Sequence, residues 1–259
     1  SKIIAPFVLR RTKEDVAKEL PQKTEDVIYC DMGKDQRKVY DFFKDKYRDY
    51  LLNKIDENGV AKSQMYILEG LTKLRQICNS TALINEEEDY GNFSVKTEIL
   101  LEHIKEKTGQ HKILVFSQFV KMLQIIKTRL DEEHISYEYL DGQTKDRQAR
   151  VDNFQENKDV RVFLISLKAG GTGLNLTEAD YVYIVDPWWN PAVENQAIDR
   201  CYRIGQNKKV MAYRMICNDT IEEKIVSLQS KKKKVAASII SVDEEKKSFD
   251  LDEVKNLFR

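Results

Sequence analysis

The sequence predicts an α/β fold built on a mostly parallel, doubly wound sheet, and three observations carry that prediction. From Ser94 onward, apolar runs of four to six residues alternate with amphipathic segments of ten or more, the rhythm of βαβ units. The runs at 113–116 (ILVF), 162–165 (VFLI) and 181–185 (YVYIV) are apolar without alternation, as strands covered on both faces are. Each run also stops abruptly at glycine, proline or polar residues, the way buried parallel strands end at a working edge.

In chain order, a short apolar run precedes RRTKEDVAKEL, a turn into a helix starting near Thr12 and stopped by Pro21. Arg10 and Arg11 read either as phosphate contacts or as a solvated pair. Asp26 to Met32 reads as a strand. From Lys34 to Asn53, Val39, Tyr40, Phe42, Phe43, Tyr47, Tyr50, Leu51 and Leu52 recur at helical intervals. Asn58-Gly59 breaks that helix, and a second runs from Met65 to Cys78 with Ile67, Leu68, Leu71, Leu74 and Ile77 inward. The acidic stretch at 85–92 then separates this helical insertion, 34–92, from the sheet; its aromatic stripe reads as core, with a partner surface as the alternative.

The sheet rhythm follows as helix Val95 to Lys107, strand Lys112 to Phe116, helix Phe119 to Asp131, strand Tyr137 to Leu140 and helix Lys145 to Gln155. Strands Val160 to Ile165 and Tyr181 to Val185 come next, then a helical segment carrying Gln196, Arg200 and Arg203 on one face. A final strand, Lys209 to Ile216, leads to a helix from Ile221, with Thr220 and Glu223 spaced as a capping box. The lysines at 231–234 read as a solvated face, with phosphate contact or a localisation signal as alternatives, and FDLDEVKNLF as a short amphipathic helix that must dock.

Composition narrows the chemistry. A chain of 259 residues, 41% hydrophobic, fills one large core or a core with a subdomain, and 43 basic residues against 43 acidic leave no global field, so any nucleic-acid face is a local patch. Cys30, Cys78, Cys201 and Cys217 form no C-x-x-C pair, and His103, His111 and His134 are dispersed. That argues against zinc and against a disulfide framework, and fits a reducing cytoplasm or nucleus. No apolar run approaches the length of a membrane span. The opening SKIIAPFVLRR, without an initiator methionine, is expected to follow an earlier segment.

The functional reading comes from the loops after the strands, all expected on one edge. They offer Ser117-Gln118, then Asp141-Gly142-Gln143-Thr144 with Lys145, Arg147 and Arg150, then Ser166-Leu167-Lys168 and the run holding Gly170, Gly171, Thr172 and Gly173. Hydroxyls and cations at helix starts favour phosphate, and four such loops in a track favour a polymer backbone. Arg200 and Arg203 together suggest a receiver for a concentrated anion such as a polyphosphate. The chain lacks G-x-x-x-x-G-K-[ST] and G-x-G-x-x-G, and Asp186 has no carboxylate partner in view for a metal. The nucleotide's cradle is therefore expected on another domain.

These residues resemble the C-terminal RecA-like lobe of the SWI2/SNF2 family of DNA-dependent ATPases, in helicase superfamily 2. ILVFSQF resembles helicase motif IV, YEYLDGQT the motif after it, VFLISLKAGGTGLNLTEAD motif V, and DPWWNPAVENQAIDRCYRIGQ motif VI with its family-typical prelude. FVLRRTKEDVAKELPQK and LRQICNSTALI resemble the family's link and protrusion, and FDLDEVKNLF its closing segment. Where the family often has Cys-x-His-Pro, this chain has Cys78-Asn79-Ser80-Thr81.

The resemblance implies a three-layer αβα RecA-like lobe at 93–230, a connector and entry strand at 1–33, a protrusion at 34–92 and a closing brace at 231–259. It implies arginine fingers at Arg200 and Arg203, with Gln196 and Asp199 orienting them, and Ser166, Gly170, Gly171 and Gly173 lining the nucleotide side. Ser117, Gln118, Thr144, Arg147, Lys168 and Thr172 would face duplex DNA, and Trp189 would either touch it or pack. ATP and Mg2+ would be held mainly by a first lobe of the same polypeptide, so the isolated lobe is expected to bind no metal or cofactor and to hydrolyse no ATP. The expected partners are that lobe, double-stranded DNA, and nucleosomes or other DNA-bound proteins, in the nucleus or nucleoid and with no membrane. Two alternatives stand beside this reading: a stand-alone protein-interaction domain using the protrusion, and a lobe of an RNA helicase.

Overall fold

The computed structural model of the protein describes residues 20–84, 88–170 and 173–238, and the side chains of all of these except 51–64 and 230–238. The expected helix from Thr12, Arg10 and Arg11, the glycine-loop residues Gly171 and Thr172, and FDLDEVKNLF lie outside the described residues. In chain order the elements are β1 (Lys23–Cys30), α1 (Lys34–Asn79), α2 (Val95–Lys107), β2 (Ile113–Ser117), α3 (Val120–Glu132), β3 (Tyr137–Leu140) and α4 (Arg147–Glu156). They continue with β4 (Val162–Ser166), the helical turn α5 (Leu167–Gly170), β5 (Tyr181–Ile184), α6 (Pro191–Ile198), β6 (Val210–Cys217) and α7 (Ile221–Ser238).

The strands form one six-stranded sheet in the order β1-β6-β5-β2-β4-β3, and every pairing is parallel. Handedness then decides where the helices go, because βαβ crossovers are right-handed. Steps toward the β3 edge, through α2 and α3, put Leu100, Ile104, Met122, Leu123 and Ile126 over Ile113, Val115, Val162 and Leu164. Steps the other way, through α4 and α6, put Val151, Phe154, Ala197 and Ile198 over Leu114, Phe116, Phe163 and Ile165. Adjacent residues of β2 and β4 thus feed opposite layers, and both strands are buried from end to end, as their unbroken apolar runs require.

Two elements in the first third of the chain differ from the sequence reading. β1 begins at Lys23 rather than Asp26, since its backbone pairs with β6 from Lys23↔Val210 to Cys30↔Cys217. Its charged residues conceal a strand that lies at an edge, where charge blocks further pairing. The second is α1, helical over Lys34–Asn79 but not straight. Gln36 Nε2 donates to the Ile77 carbonyl at 2.8 Å and the Tyr50 and Tyr66 rings lie 3.7 Å apart, whereas a straight helix rising about 1.5 Å per residue would separate residues 36 and 77 by about 60 Å. The chain therefore doubles back between Tyr50 and Tyr66, the stretch holding Asn58-Gly59, and the two arms pack at their base into the sheet's core through Tyr40, Phe43, Leu74 and Ile77.

The capping box at α7 forms with a shift: Glu222 N–H donates to Thr220 Oγ1 at 3.2 Å, while Glu223 accepts from the N–H of Asp219, not of Thr220, at 2.8 Å. Asp219 adopts a left-handed φ of 55° there, a conformation that Asp tolerates better than most residues.

Lys96 and Glu222 are both fully buried, with Nζ 2.7 Å from Oε1. Nζ also donates to the Val185 carbonyl at 2.6 Å and to Asn79 Oδ1 at 3.3 Å, and Glu222 Oε2 accepts from Cys217 N–H at 2.9 Å. Burial opposes the ammonium, and Glu222 overrides it and holds the Lys96 pKa above its ordinary value. Replacing one partner strands a buried charge, so Lys96→Met is expected to cost about 3–5 kcal/mol in urea unfolding, and Lys96→Met with Glu222→Leu to recover a large part of the loss.

Candidate functional site

In a parallel sheet all strand ends of one sense share an edge, and here the carboxyl edge carries Ser117, Asp141, Ser166 and Asp186. The direction of the crossovers reverses between β2 and its neighbours β4 and β5, which opens a crevice at this edge. Asp186, fully buried, latches the centre of it. Its carboxylate accepts from Ser117 Oγ at 2.5 Å and from Gln118 N–H at 3.1 Å, tying the loop after β5 to the end of β2.

That bond corrects the expectation for Ser117, which is fully buried and does not face outward as a phosphate donor would. Gln118 is half-buried, and among the described residues its Nε2 has no hydrogen-bond partner. Thr144 sits in the turn after β3, where its Oγ1 accepts from Asp141 N–H at 3.0 Å and lies 3.2 Å from Asp141 Oδ1, so its hydroxyl closes the turn. Arg147 opens α4 and donates to the Asp141 carbonyl at 3.4 Å. Lys168 is exposed on α5. Ser166 Oγ accepts from Ala169 N–H at 3.3 Å and is 3% exposed, so it caps that turn from inside.

The glycine loop splits in role. Gly173 has φ +52°, a left-handed conformation that costs glycine little. Gly170 is in an ordinary conformation and buried, and a Cβ there would lie 2.9 Å from Phe116 Cε1. Its side-chain-less face therefore serves close packing on β2, a need the AGGTG string did not disclose.

The arginines are not on a helix with Gln196. α6 starts at Asn190, whose side chain accepts from Ala192 N–H at 3.0 Å, with Pro191 in the first turn. It ends at Ile198, and Asp199 caps it. Beyond it the chain tightens into turns, with Arg200 N–H bonding to Ala197 O and Cys201 N–H to Ile198 O. The Arg200 carbonyl accepts from Leu176 N–H at 3.0 Å, which ties the turn to a different loop. Arg203 is exposed and donates from Nη1 to the Leu174 carbonyl at 3.4 Å, and Gln206 Nε2 donates to the Ala179 carbonyl at 2.8 Å. Burial, then the charge of Arg203, pull the Arg200 pKa below its ordinary value, and Asp199 opposes them. Gln196 is exposed on α6.

Known proteins share this arrangement. The profile described as helicase conserved C-terminal domain matches residues 95–205, and that described as SNF2-related domain matches 1–83. A solved structure titled Sulfolobus solfataricus SWI2/SNF2 ATPase C-terminal domain superposes with a TM-score of 0.67 at 33% identity, covering 86% of this chain and 92% of that one. The chain belongs to the SWI2/SNF2 family. The SWI2/SNF2 ATPase core of the same organism in complex with dsDNA matches with a TM-score of 0.68 at 35% identity, over 92% of this chain and 51% of that one. The DNA repair and recombination protein RAD26 of Saccharomyces cerevisiae is 37% identical over 99% of this chain and 24% of its own length. The chain spans about a quarter of the length of the curated relatives it matches.

Within this SNF2-family lobe several buried charged residues at the edge escaped the sequence reading. Glu194, fully buried, accepts from Trp188 N–H at 2.7 Å and from Arg214 Nε at 2.6 Å. Burial opposes the charge on Arg214, and Glu194 with Glu25 holds its pKa above the ordinary value. Arg75, on α1, donates to the Pro187 carbonyl at 2.5 Å. One signal for it was present: Leu71, Leu74, Arg75 and Cys78 fall on one helix face, which places a charge in an apolar stripe. Among the described residues no helix is long and apolar enough to cross a membrane. Because Gly170 is packed on Phe116, Gly170→Ala is expected to lower unfolding stability by about 1–3 kcal/mol through overpacking, read by thermal or urea denaturation.

Proposed function

We propose that this chain is the second motor lobe of an ATP-driven translocase on double-stranded DNA, and that Arg200 and Arg203 act on ATP held by a first lobe of the same polypeptide. One observation carries the reading: Arg200 and Arg203 lie in one tight turn after α6, held by Leu176 N–H on the Arg200 carbonyl at 3.0 Å and by Arg203 Nη1 on the Leu174 carbonyl at 3.4 Å. Two guanidiniums held in one turn suit a concentrated negative charge. A phosphoryl group in transfer supplies that charge, and pre-oriented guanidiniums stabilise it without reorganising.

The described residues do not fit the other half of the task. Asp186 is spent on Ser117 and Gln118. Among the described residues the one cluster of metal-ligating type, Cys78, Cys217 and Glu222, is buried and already holds the Lys96 ammonium. ATP and Mg2+ would be bound mainly by the first lobe, where the metal would neutralise phosphate charge. Here Asp199, at the cap of α6, orients Arg200. Lys168 and Arg147 are cations suited to phosphates of a duplex, and the dsDNA complex of a relative 35% identical favours that polymer over RNA. Translocation would displace nucleosomes or other DNA-bound proteins, in a nucleus or nucleoid. A second reading has one observation of its own: Phe42, Met65 and Leu68 are exposed on α1, which favours a protein partner on the protrusion.

Two measurements on the two-lobed protein separate the faces of the site. Arg203→Ala is expected to reduce duplex-stimulated ATP turnover by about two to three orders of magnitude with duplex affinity unchanged; turnover near the unsubstituted level would falsify the finger role. Arg147→Ala with Lys168→Ala is expected to weaken duplex binding and to lower the slope of log affinity against log salt by about 2, since each phosphate contact contributes about 0.9. An unchanged slope would move the duplex to another face.

A further inference from the structure

Arg75 is 3% exposed and fully committed to the carboxyl edge. Its guanidinium carbon lies 5.7 Å from the ring centroid of Phe119, 5.7 Å from that of Trp188 and 5.6 Å from that of Trp189. Nη2 donates to the Pro187 carbonyl at 2.5 Å, and Nε is buried with no hydrogen-bond partner among the described residues. No carboxylate lies within ion-pair distance of it among those residues, though burial, which pulls its pKa down, is opposed first by Asp186 and then by Glu222.

This is a costly way to fill space. A hydrocarbon of similar volume would pack against three rings without desolvating a charge. What a planar cation adds is direction, with a donor aimed at one carbonyl and a flat charge that aromatic faces align to. The rings it aligns come from two loops at the working edge: Phe119 follows β2, and Trp188 and Trp189 follow β5. The second loop is held again beyond them, where Trp188 N–H bonds to Glu194 of α6 and Asn190 caps that helix. Arg75 itself stands on α1, so its side chain joins the protrusion to the edge.

We propose that Arg75 is a positioning residue, which fixes the 186–190 loop so that Trp189 meets the duplex and joins that contact to the protrusion. The proposal rests on the duplex-translocase reading above. It assigns Arg75 no contact with DNA or nucleotide; it acts through the tryptophans. Packing alone would ask only for bulk at this position, whereas positioning asks for the planar, forked cation.

Trp188 and Trp189 are the two tryptophans of the chain, so its intrinsic emission reports on the cage. A short blunt DNA duplex is titrated into the 259-residue chain while tryptophan emission is followed, for the unsubstituted chain, Arg75→Lys and Arg75→Met. Emission is expected to change with duplex, and both variants to need about tenfold more duplex for half the change, the size that losing a desolvated cation–aromatic contact gives. Their thermal unfolding midpoints serve as the control. In the two-lobed protein, Arg75→Lys is expected to raise the duplex concentration for half-maximal ATP turnover by about the same factor and to leave turnover at saturating duplex unchanged. Arg203→Ala should do the reverse. Titrations of Arg75→Met that overlay the unsubstituted chain would show that bulk suffices and overturn the proposal. Unfolding of both variants would make Arg75 merely structural and overturn it equally. An emission that ignores duplex in the unsubstituted chain removes Trp189 from the DNA and the proposal with it, whereas a fully active Arg203→Ala removes the finger reading and leaves the duplex titration standing.

Discussion

The buried bond between Lys96 and Glu222 is the constraint on which the carboxyl edge depends. Five segments end within reach of it: α1 through Asn79, α2 through Lys96 itself, β5 through the Val185 carbonyl, β6 through Cys217 N–H, and α7 through Glu222. Apolar packing places helices on a sheet but tolerates sliding by small amounts, because it has no direction. An ammonium with three acceptors does not tolerate it, since each displaced acceptor leaves part of a charge unsolvated. The pair thus fixes the depth at which β5 and β6 stop, and with it the place from which the 186–190 loop departs.

From there a second group of buried charges carries the order outward. Asp186, one residue past Val185, turns inward to β2. Glu194 holds the Trp188 amide and Arg214, and Arg214 reaches Glu25 on the edge strand at 3.0 Å. Every carboxylate in this series is occupied in bracing one loop against another strand. Lys168 and Arg203, by contrast, are exposed cations on neighbouring turns. Asp186 and Glu194 face in while Lys168 and Arg203 face out.

The fold was legible in the sequence wherever burial forces a pattern. The apolar runs of β2, β4 and β5 gave the central strands to within a residue or two, because strands covered on both faces admit little else. α2 was legible at both ends, since Ser94 caps it by accepting from Thr97 N–H at 3.1 Å and Thr108-Gly109 follows it. β1 was less so, because an edge strand is defined by backbone pairing and its side chains answer to solvent. At the site, residue types were legible and their directions were not. Ser117 and Lys168 look alike as strand-end polar residues, yet one turns in to Asp186 and the other out, and that choice is made by a partner 69 residues away. Arg200 and Arg203 were found by type, and the helix assumed to carry them was not, because it tightens into i→i−3 turns at Ala197 and Ile198, before either arginine.

The arginine turn is bolted to the segment after the glycine loop at three points: Leu176 N–H to the Arg200 carbonyl, Arg203 Nη1 to the Leu174 carbonyl, and Gln206 Nε2 to the Ala179 carbonyl. Gly205, with φ +102°, lets the chain leave the turn at once toward β6. Were Arg200 and Arg203 on a continued α6, they would move with that helix and with the tryptophan loop that starts it. Bonded as they are, they are anchored to 174–179. The tryptophan loop has its own anchors, Glu194 and Arg75. The arginine turn and the tryptophan loop are thus braced by separate sets of hydrogen bonds.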